Sequence, residues 1–583
     1  MRLVRLIIAL ISGAFISQTQ AAPSILSPRT LNTTSSTTAE HYLPVIDLGY
    51  AKYRAAKYSA DGDYYTFTNI RYAAPPVGKR RFQPPEPPED EEGVNDGSYG
   101  FLCHQAHSIQ FKGLQYIVPE EMQNEDCLFL DVYVPACALQ EHHPSNYSSL
   151  VLNTTSTATI SATKPKLPVL FWIHGGGFAF GQKDGLLTPQ GMMSIADGKM
   201  IYVSINYRLG AFGFLAGNEV KERKITNVGL KDQRMALDWV QKYIGSFGGD
   251  AGQVAVMGQS AGASSILHHM TAPEPVQFQR AIMQSTAFYP QYDADILESQ
   301  YQGFAKLTGC KGEDSFKCLM KLDAKNLSQA NREYVYSARY GTFRFGPYVD
   351  REYVPLLPLF RLGYGQYNKD VHVLAGYTSN EGALFADPTA IKEADFNKLL
   401  CEHFPNATEH TVEEIKEFYP PRKLASQRAR GVIAEWVVDC NSQYLDEYYP
   451  KTFLYKFSIP PGFHSIDLIF TFWRDVDGSS DHSQTPKELR SLAHEYLGHR
   501  ATGNWISDVS RRWQEWFVSF AVAGNPNYLS TSHVRFPMAK ELPNERAMID
   551  VTKNGDFKLT SLAEDGPKAK RCDFWMEGDW TGR

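Results

Sequence analysis

The stretch QVAVMGQSAGASSILHHM, residues 253–270, decides the fold. Its first residues, QVAVM, are a short apolar run of the kind a sheet buries on both faces. Its last residues, SILHHM, read as helix. Between them, Gly258-Gln259-Ser260-Ala261-Gly262 matches G-x-S-x-G. A serine held in a tight turn between strand and helix has its hydroxyl exposed above the carboxyl end of the sheet. The helix after it opens with amides directed at the reacting oxygen.

Working outward, the same order of elements repeats. PVLFWIHG (168–175), MIYVSINYR (200–208), FQRAIMQS (278–285), VHVLAGYT (371–378) and FLYKFS (453–458) are further strand-like runs. KDQRMALDWVQKYI (231–244) and ISDVSRRWQEWFVSFAVAG (506–524) carry helical periodicity, the second ending at Gly524. Buried strands alternating with helices predict an α/β protein with a large, mostly parallel central sheet and helices on both faces. No repeat or clean linker interrupts the order, so residues 44–583 are expected to form one catalytic domain.

The chain has 583 residues, 43% hydrophobic and 21% charged, enough for a large core. A net charge of -6 gives no reason to expect nucleic acid or a basic membrane-binding face. Sixteen histidines show no metal-like clustering: His142-His143 and His268-His269 are adjacent pairs, not i, i+4 pairs.

The compartment is read from the N-terminus. MRLVRLIIALISGAFISQTQAAPS places Arg2 and Arg5 before an apolar run and small residues around Ala21 and Ala22. Residues 1–21 therefore read as a secretory signal peptide, too short to span a bilayer. Residues 22–43 are Ser/Thr-rich and expected to be loose; 138–165 are expected to be a surface insertion. Sequons begin at Asn32, Asn146, Asn153, Asn326 and Asn406, and the eight cysteines are an even number, so a secreted, glycosylated, disulfide-bonded extracellular protein is expected. Cys310 and Cys318 are close enough in sequence to close a short loop.

A serine hydroxyl is a poor nucleophile without a base, and the oxyanion formed on its attack needs donors. The donors are expected in HGGGF, His174–Phe178, directly after the strand VLFWI. Glycines there let backbone N–H groups face a substrate oxygen. Glu381 stands just past a strand's carboxyl end and downstream of the serine, a place open equally to a catalytic acid and to an ordinary helix-start glutamate. A histidine partner following it lies among His403, His410, His464, His482, His494, His499 and His533.

These motifs, with YAAPPVGKRRFQPP (72–85), NEDCLFLDVYVP (124–135), NYRLGAFGFL (206–215) and WVQKYIGSFGGD (239–250), resemble those of the type-B carboxylesterase/lipase family, which includes the cholinesterases. FGPYVD (345–350) and RCDFW (571–575) are similar to its fungal secreted members. The resemblance covers nearly all of the mature chain. It implies an α/β-hydrolase fold and a Ser-Glu-His triad of Ser260, Glu381 and His464, the last in PGFHSIDLIFTF (461–472). It implies an oxyanion hole formed by the N–H groups of Gly176, Gly177 and Ala261. It also implies disulfides Cys103–Cys127 and Cys310–Cys318 and a buried Arg81–Glu125 ion pair. Cys401–Cys440 and Cys137–Cys572 are left over as guesses.

The expected reaction is hydrolysis of a small-molecule carboxylic ester through an acyl-enzyme, with no metal or organic cofactor. Cholinesterases have glutamate before the serine and an indole on the loop matching 103–127; here Gln259 is uncharged and the loop has no tryptophan, which argues against choline. That loop is a lid in the family's lipases. Its apolar Ile109, Phe111, Leu114, Tyr116 and Ile117 are interleaved with Lys112, Glu120, Glu121, Glu125 and Asp126, so dispersed esters are expected ahead of long-chain, insoluble ones. Oligomeric state is not legible. Binding proteins that resemble these enzymes have lost catalytic groups, whereas every such position is occupied here.

Overall fold

The computed structural model describes residues 43–111, 118–139, 165–287, 292–476, 485–501, 503–541, 546–562 and 566–581. The expected signal peptide, nearly all of the segment 22–43, most of the insertion 138–165 and the sequons at Asn32, Asn146 and Asn153 lie outside them, as do Lys112, Leu114, Tyr116 and Ile117. Asn326 and Asn406 are exposed.

An 11-stranded sheet organises the molecule. In chain order its strands are β1 (Lys57–Ser59), β2 (Tyr64–Arg71), β3 (Phe129–Pro135), β4 (Leu167–Ile173), β5 (Ile201–Ile205), β6 (Gly249–Gln259), β7 (Arg280–Gln284), β8 (His372–Thr378), β9 (Thr452–Phe457), β10 (Ala547–Val551) and β11 (Phe557–Ser561). Their spatial order is β1-β2-β3-β5-β4-β6-β7-β8-β9-β10-β11. From β5 to β10 every neighbouring pair is parallel. β1, β2 and β3 at one end and β11 at the other run antiparallel to their neighbours. A small three-stranded sheet of Val45–Asp47, Lys52–Arg54 and Val94–Asn95 stands apart.

The parallel strands are the runs that the sequence marks as continuously apolar. Val169–Ile173 on β4 and Val254–Met257 on β6 are fully buried, as expected of strands covered on both faces. Helix α1 (Val228–Tyr243) and helix α2 (Ala261–Met270) follow the predicted stretches. Helix α4 (Asn504–Ala523) ends at Gly524 in the left-handed conformation and buries Trp513, Trp516 and Phe517, so its aromatic stripe is core. No described helix is long and apolar enough to cross a membrane.

The expected Cys103–Cys127 and Cys310–Cys318 bonds are present, and Arg81 meets Glu125 through two buried contacts of 2.6 and 2.7 Å. The other two pairings are corrected: Cys440 bonds Cys572, which excludes both Cys401–Cys440 and Cys137–Cys572. The cause is helix packing. Cys440 opens α3 (Cys440–Tyr448), and Cys572 lies on the terminal helix α5 (Gly566–Glu577), which docks beside it with the two Cα atoms 5.2 Å apart. Cys137 and Cys401 are exposed elsewhere.

α5 is also fastened by charge. Lys568 donates to Asp439 at 2.7 Å, and Arg571 makes two 2.7 Å contacts with Glu435. Both acids lie on the π-helical turn Glu435–Asp439 that leads into α3. Replacing Cys440 and Cys572 together by serine is expected to cost about 3–5 kcal/mol, because the bond closes a loop of 132 residues in the unfolded chain. Urea unfolding with the other cysteines intact measures this. A loss below about 1 kcal/mol would mean that packing and charge hold α5 unaided.

Candidate active site

Ser260 sits where β6 becomes α2, at φ +57° and ψ −122°. That backbone region is costly for a residue with a Cβ, by about 1–3 kcal/mol, and persists only when its surroundings impose it. Here the Ser260 N–H donates to the carbonyl of Gln284 at 2.9 Å, and the Ser260 carbonyl accepts from Ser264 N–H at 2.9 Å. Gly262 is dictated by close approach: a Cβ there would lie 2.1 Å from the carbonyl oxygen of Ile173 on β4.

The glycine-rich turn after β4 abuts the serine. A Cβ on Gly175 would stand 3.2 Å from the Ser260 Cβ. Gly176 adopts φ +108°, and a Cβ on it would overlap the Phe180 carbonyl, whereas the Gly176 carbonyl itself accepts from Ala179 and Phe180 N–H, both at 3.1 Å. Among the described residues no acceptor takes the N–H of Gly176, Gly177 or Ala261. His174 fixes the start of the turn: its Nδ1 donates to Gly175 O at 2.8 Å and its ring stacks on Tyr207 at 4.4 Å. Burial pushes its imidazole down to about 4, so the neutral tautomer that makes this bond persists across the physiological range.

Glu381 and His464 meet on the same edge of the sheet. Glu381 opens a short turn three residues beyond β8, and His464 lies in the loop after β9. His464 Nδ1 donates to Glu381 Oε2 at 2.5 Å, with both side chains buried. The other Glu381 oxygen accepts from Thr378 N–H at 2.6 Å and from Ser285 Oγ at 2.7 Å. With Nδ1 donating, His464 Nε2 carries the lone pair in the neutral ring. The Gln259 amide stands 3.3 Å from that nitrogen and donates to Ser465 Oγ at 2.8 Å, which ties the serine turn to the histidine loop.

Other histidines are elsewhere. His403 is buried on a helix with Nδ1 to Leu399 O, while His410, His494 and His533 are exposed. His482 and the side chain of His499 lie outside the described residues.

Sequence reasoning names no role for Ser285, and marks Asp467 only as part of the histidine motif that the resemblance supplies. Ser285 ends the run RAIMQS at a strand's carboxyl edge, a position that could have flagged it. Asp467 is buried beneath the acid, accepting from Gln284 Nε2 at 2.8 Å. Burial and the neighbouring Glu381 push its carboxyl up to about 7. Glu381, not Asp467, is the carboxylate that meets the imidazole directly.

The parallel sheet, with a glycine-flanked serine at the carboxyl end of its central strand, defines an α/β-hydrolase. The Carboxylesterase family model matches residues 44–575, and the chain belongs to that family of carboxylic-ester hydrolases. It is 28% identical to the carboxylesterase patB of Penicillium expansum, over 92% of this chain and 96% of that protein. It is 26% identical to a secreted lipase of Arthroderma benhamiae, over 92% of both. The crystal structure of Aspergillus niger EstA superimposes with a TM-score of 0.73 at 26% identity, covering 92% of this chain and 98% of EstA.

Proposed function

We propose that the protein is a secreted, glycosylated carboxylesterase, with 44–583 as one catalytic unit, that hydrolyses dispersed small-molecule esters through an acyl-enzyme on Ser260. The observation that carries this is the buried 2.5 Å His464–Glu381 contact, with Gln259, the residue before Ser260, 3.3 Å from His464 Nε2 and Ser260 itself in strained backbone. His464 Nε2 takes the Ser260 proton as the hydroxyl attacks the ester carbonyl. Glu381 holds the imidazole's tautomer and stabilises the imidazolium that forms. The N–H groups of Gly176, Gly177 and Ala261 receive the oxyanion, each contributing roughly 3 kcal/mol to the transition state. The imidazolium then protonates the leaving alkoxide. Water, deprotonated by the same nitrogen, releases the acid and restores the serine.

Dispersed esters are favoured over oil by the loop 103–127. Its Phe111 turns inward, buried against Phe180 and Phe343, and so adds nothing to an outer apolar face. Among the described residues of the loop, Ile109 and Met122 are the exposed large apolar side chains. Hydrolysis rates on p-nitrophenyl esters from acetyl to palmitoyl test this. A short-chain optimum is expected. A long-chain optimum with a rate jump above substrate solubility would instead assign the chain to lipases, like its Arthroderma benhamiae relative.

A further inference from the structure

The turn that carries Gly176 and Gly177 must hold its shape while charge develops on the substrate oxygen. Its start is fixed by His174 and its middle by backbone contacts, Ala106 N–H to Ala179 O at 2.8 Å and Gly210 N–H to Phe178 O at 2.7 Å. Its end, Gly181 at φ +121°, hydrogen-bonds, among the described residues, to one side chain from a distant part of the chain. The Gln105 carboxamide accepts from Gly181 N–H at 2.7 Å and donates to Gly181 O at 3.0 Å. It therefore pairs with both polar groups of one residue, as a neighbouring peptide would in a sheet. Gln105 is 2% exposed, so water does not compete for these contacts.

The same side chain joins the turn to the disulfide loop. Gln105 Nε2 also donates to Cys103 O at 2.8 Å, and its backbone N–H donates to Gln123 Oε1 at 2.9 Å on the opposite arm. Beside it, His107 stacks on Phe180 of the glycine turn at 4.7 Å. Both imidazole nitrogens of His107 lack a hydrogen-bond partner among the described residues, and burial pushes the ring down to about 3. It is thus a neutral aromatic plate braced against the turn.

We propose that Gln105 is a positioning residue for ester hydrolysis: its carboxamide locks the end of the oxyanion turn and makes the placement of the Gly176 and Gly177 amides depend on the covering loop 103–127. It touches neither substrate nor Ser260. This rests on the function proposed above for that turn. A carboxamide is required because a leucine offers neither contact, and a glutamate keeps the acceptor for Gly181 N–H but, when ionised, loses the donor for Gly181 O and Cys103 O.

The test compares Gln105→Leu and Gln105→Glu with the parent enzyme on p-nitrophenyl butyrate, with active sites counted by a serine-directed phosphonate. Inhibition by an aryl trifluoromethyl ketone, whose tetrahedral adduct places an oxyanion on the turn, is the second readout. Gln105→Leu is expected to lower kcat per titrated site roughly 10–100-fold, with KM within about threefold and ketone inhibition weakened in proportion to kcat/KM. Gln105→Glu is expected to fall between the two, and serves alone if the leucine variant does not fold. A kcat per titrated site within about twofold of the parent in a folded variant, with fewer titratable sites, would make Gln105 a merely structural residue and overturn the proposal. Full turnover in Ser260→Ala would mark a separate failure, that of the site itself, and would overturn both.

Discussion

Replacing Ser260 by alanine is expected to lower ester turnover roughly 10⁴–10⁶-fold while leaving the fold intact. The loss is chemical because the substitution removes only Oγ. Ser260's backbone contacts, to the Gln284 carbonyl and from Ser264 N–H, do not involve the side chain. Alanine has the same Cβ at the same positive φ, so the strain of the turn is unchanged. Stability is therefore expected to stay within about 1 kcal/mol of the parent. The measurement pairs p-nitrophenyl butyrate hydrolysis with phosphonate labelling and peptide mapping. A variant that still takes up the phosphonate would place the nucleophile elsewhere.

The second large effect is expected at Glu381. Glutamine there should lower kcat about 10³–10⁴-fold, because a carboxamide neither holds the His464 tautomer as firmly nor stabilises the imidazolium. Three hydrogen bonds end on this carboxylate: His464 Nδ1, Thr378 N–H and Ser285 Oγ. The amide of glutamine must turn its NH₂ toward one of these donors, and whichever it faces loses an acceptor. Phosphonate labelling of Ser260 should slow in parallel, since it needs the same base. The informative contrast is Asp467→Asn. Asp467 bonds Gln284, not His464, so its loss should be much smaller. A Glu381→Gln loss under tenfold, with a larger one in Asp467→Asn, would exchange their roles.

Why were these residues legible in the sequence? Each candidate catalytic group follows a buried strand whose largely apolar run is visible in the sequence, but Glu381 and His464 are singled out from the other candidates only by the family resemblance. QVAVM before Ser260, VHVLAGYT before Glu381 and FLYKFS before His464 are strands β6, β8 and β9. Glycine made the rest readable, because close backbone approach leaves little choice of residue at Gly176 and Gly262. Ser285 was harder, since a serine at a strand end has no pattern until the carboxylate it donates to is in place. The Cys440–Cys572 bond was illegible for a different reason. It records how two helices 132 residues apart dock, and cysteine spacing holds no information about docking. The antiparallel β1, β2 and β3 and the short β10 and β11 were not marked out either, as their segments lack the long apolar runs of the parallel centre.

In the sequence Gln259 is legible only as a missing charge, an argument against choline. In the structure it is a bridge, linking the serine turn to Ser465 and lying beside the imidazole nitrogen. Gln105 drew no notice at all, because one glutamine in a loop has no signature; its importance lies in the two polar groups of Gly181 that it satisfies.

The strained turn at Ser260 sets heat tolerance against catalysis. Its φ of +57° belongs to a region that glycine occupies freely and serine does not. A population of this chain evolved for thermal endurance alone, without any demand for turnover, has a downhill path at codon 260 that ends in glycine. Under the proposed mechanism only continued use of the hydroxyl opposes that drift, and the serine is then retained by the reaction rather than by the fold.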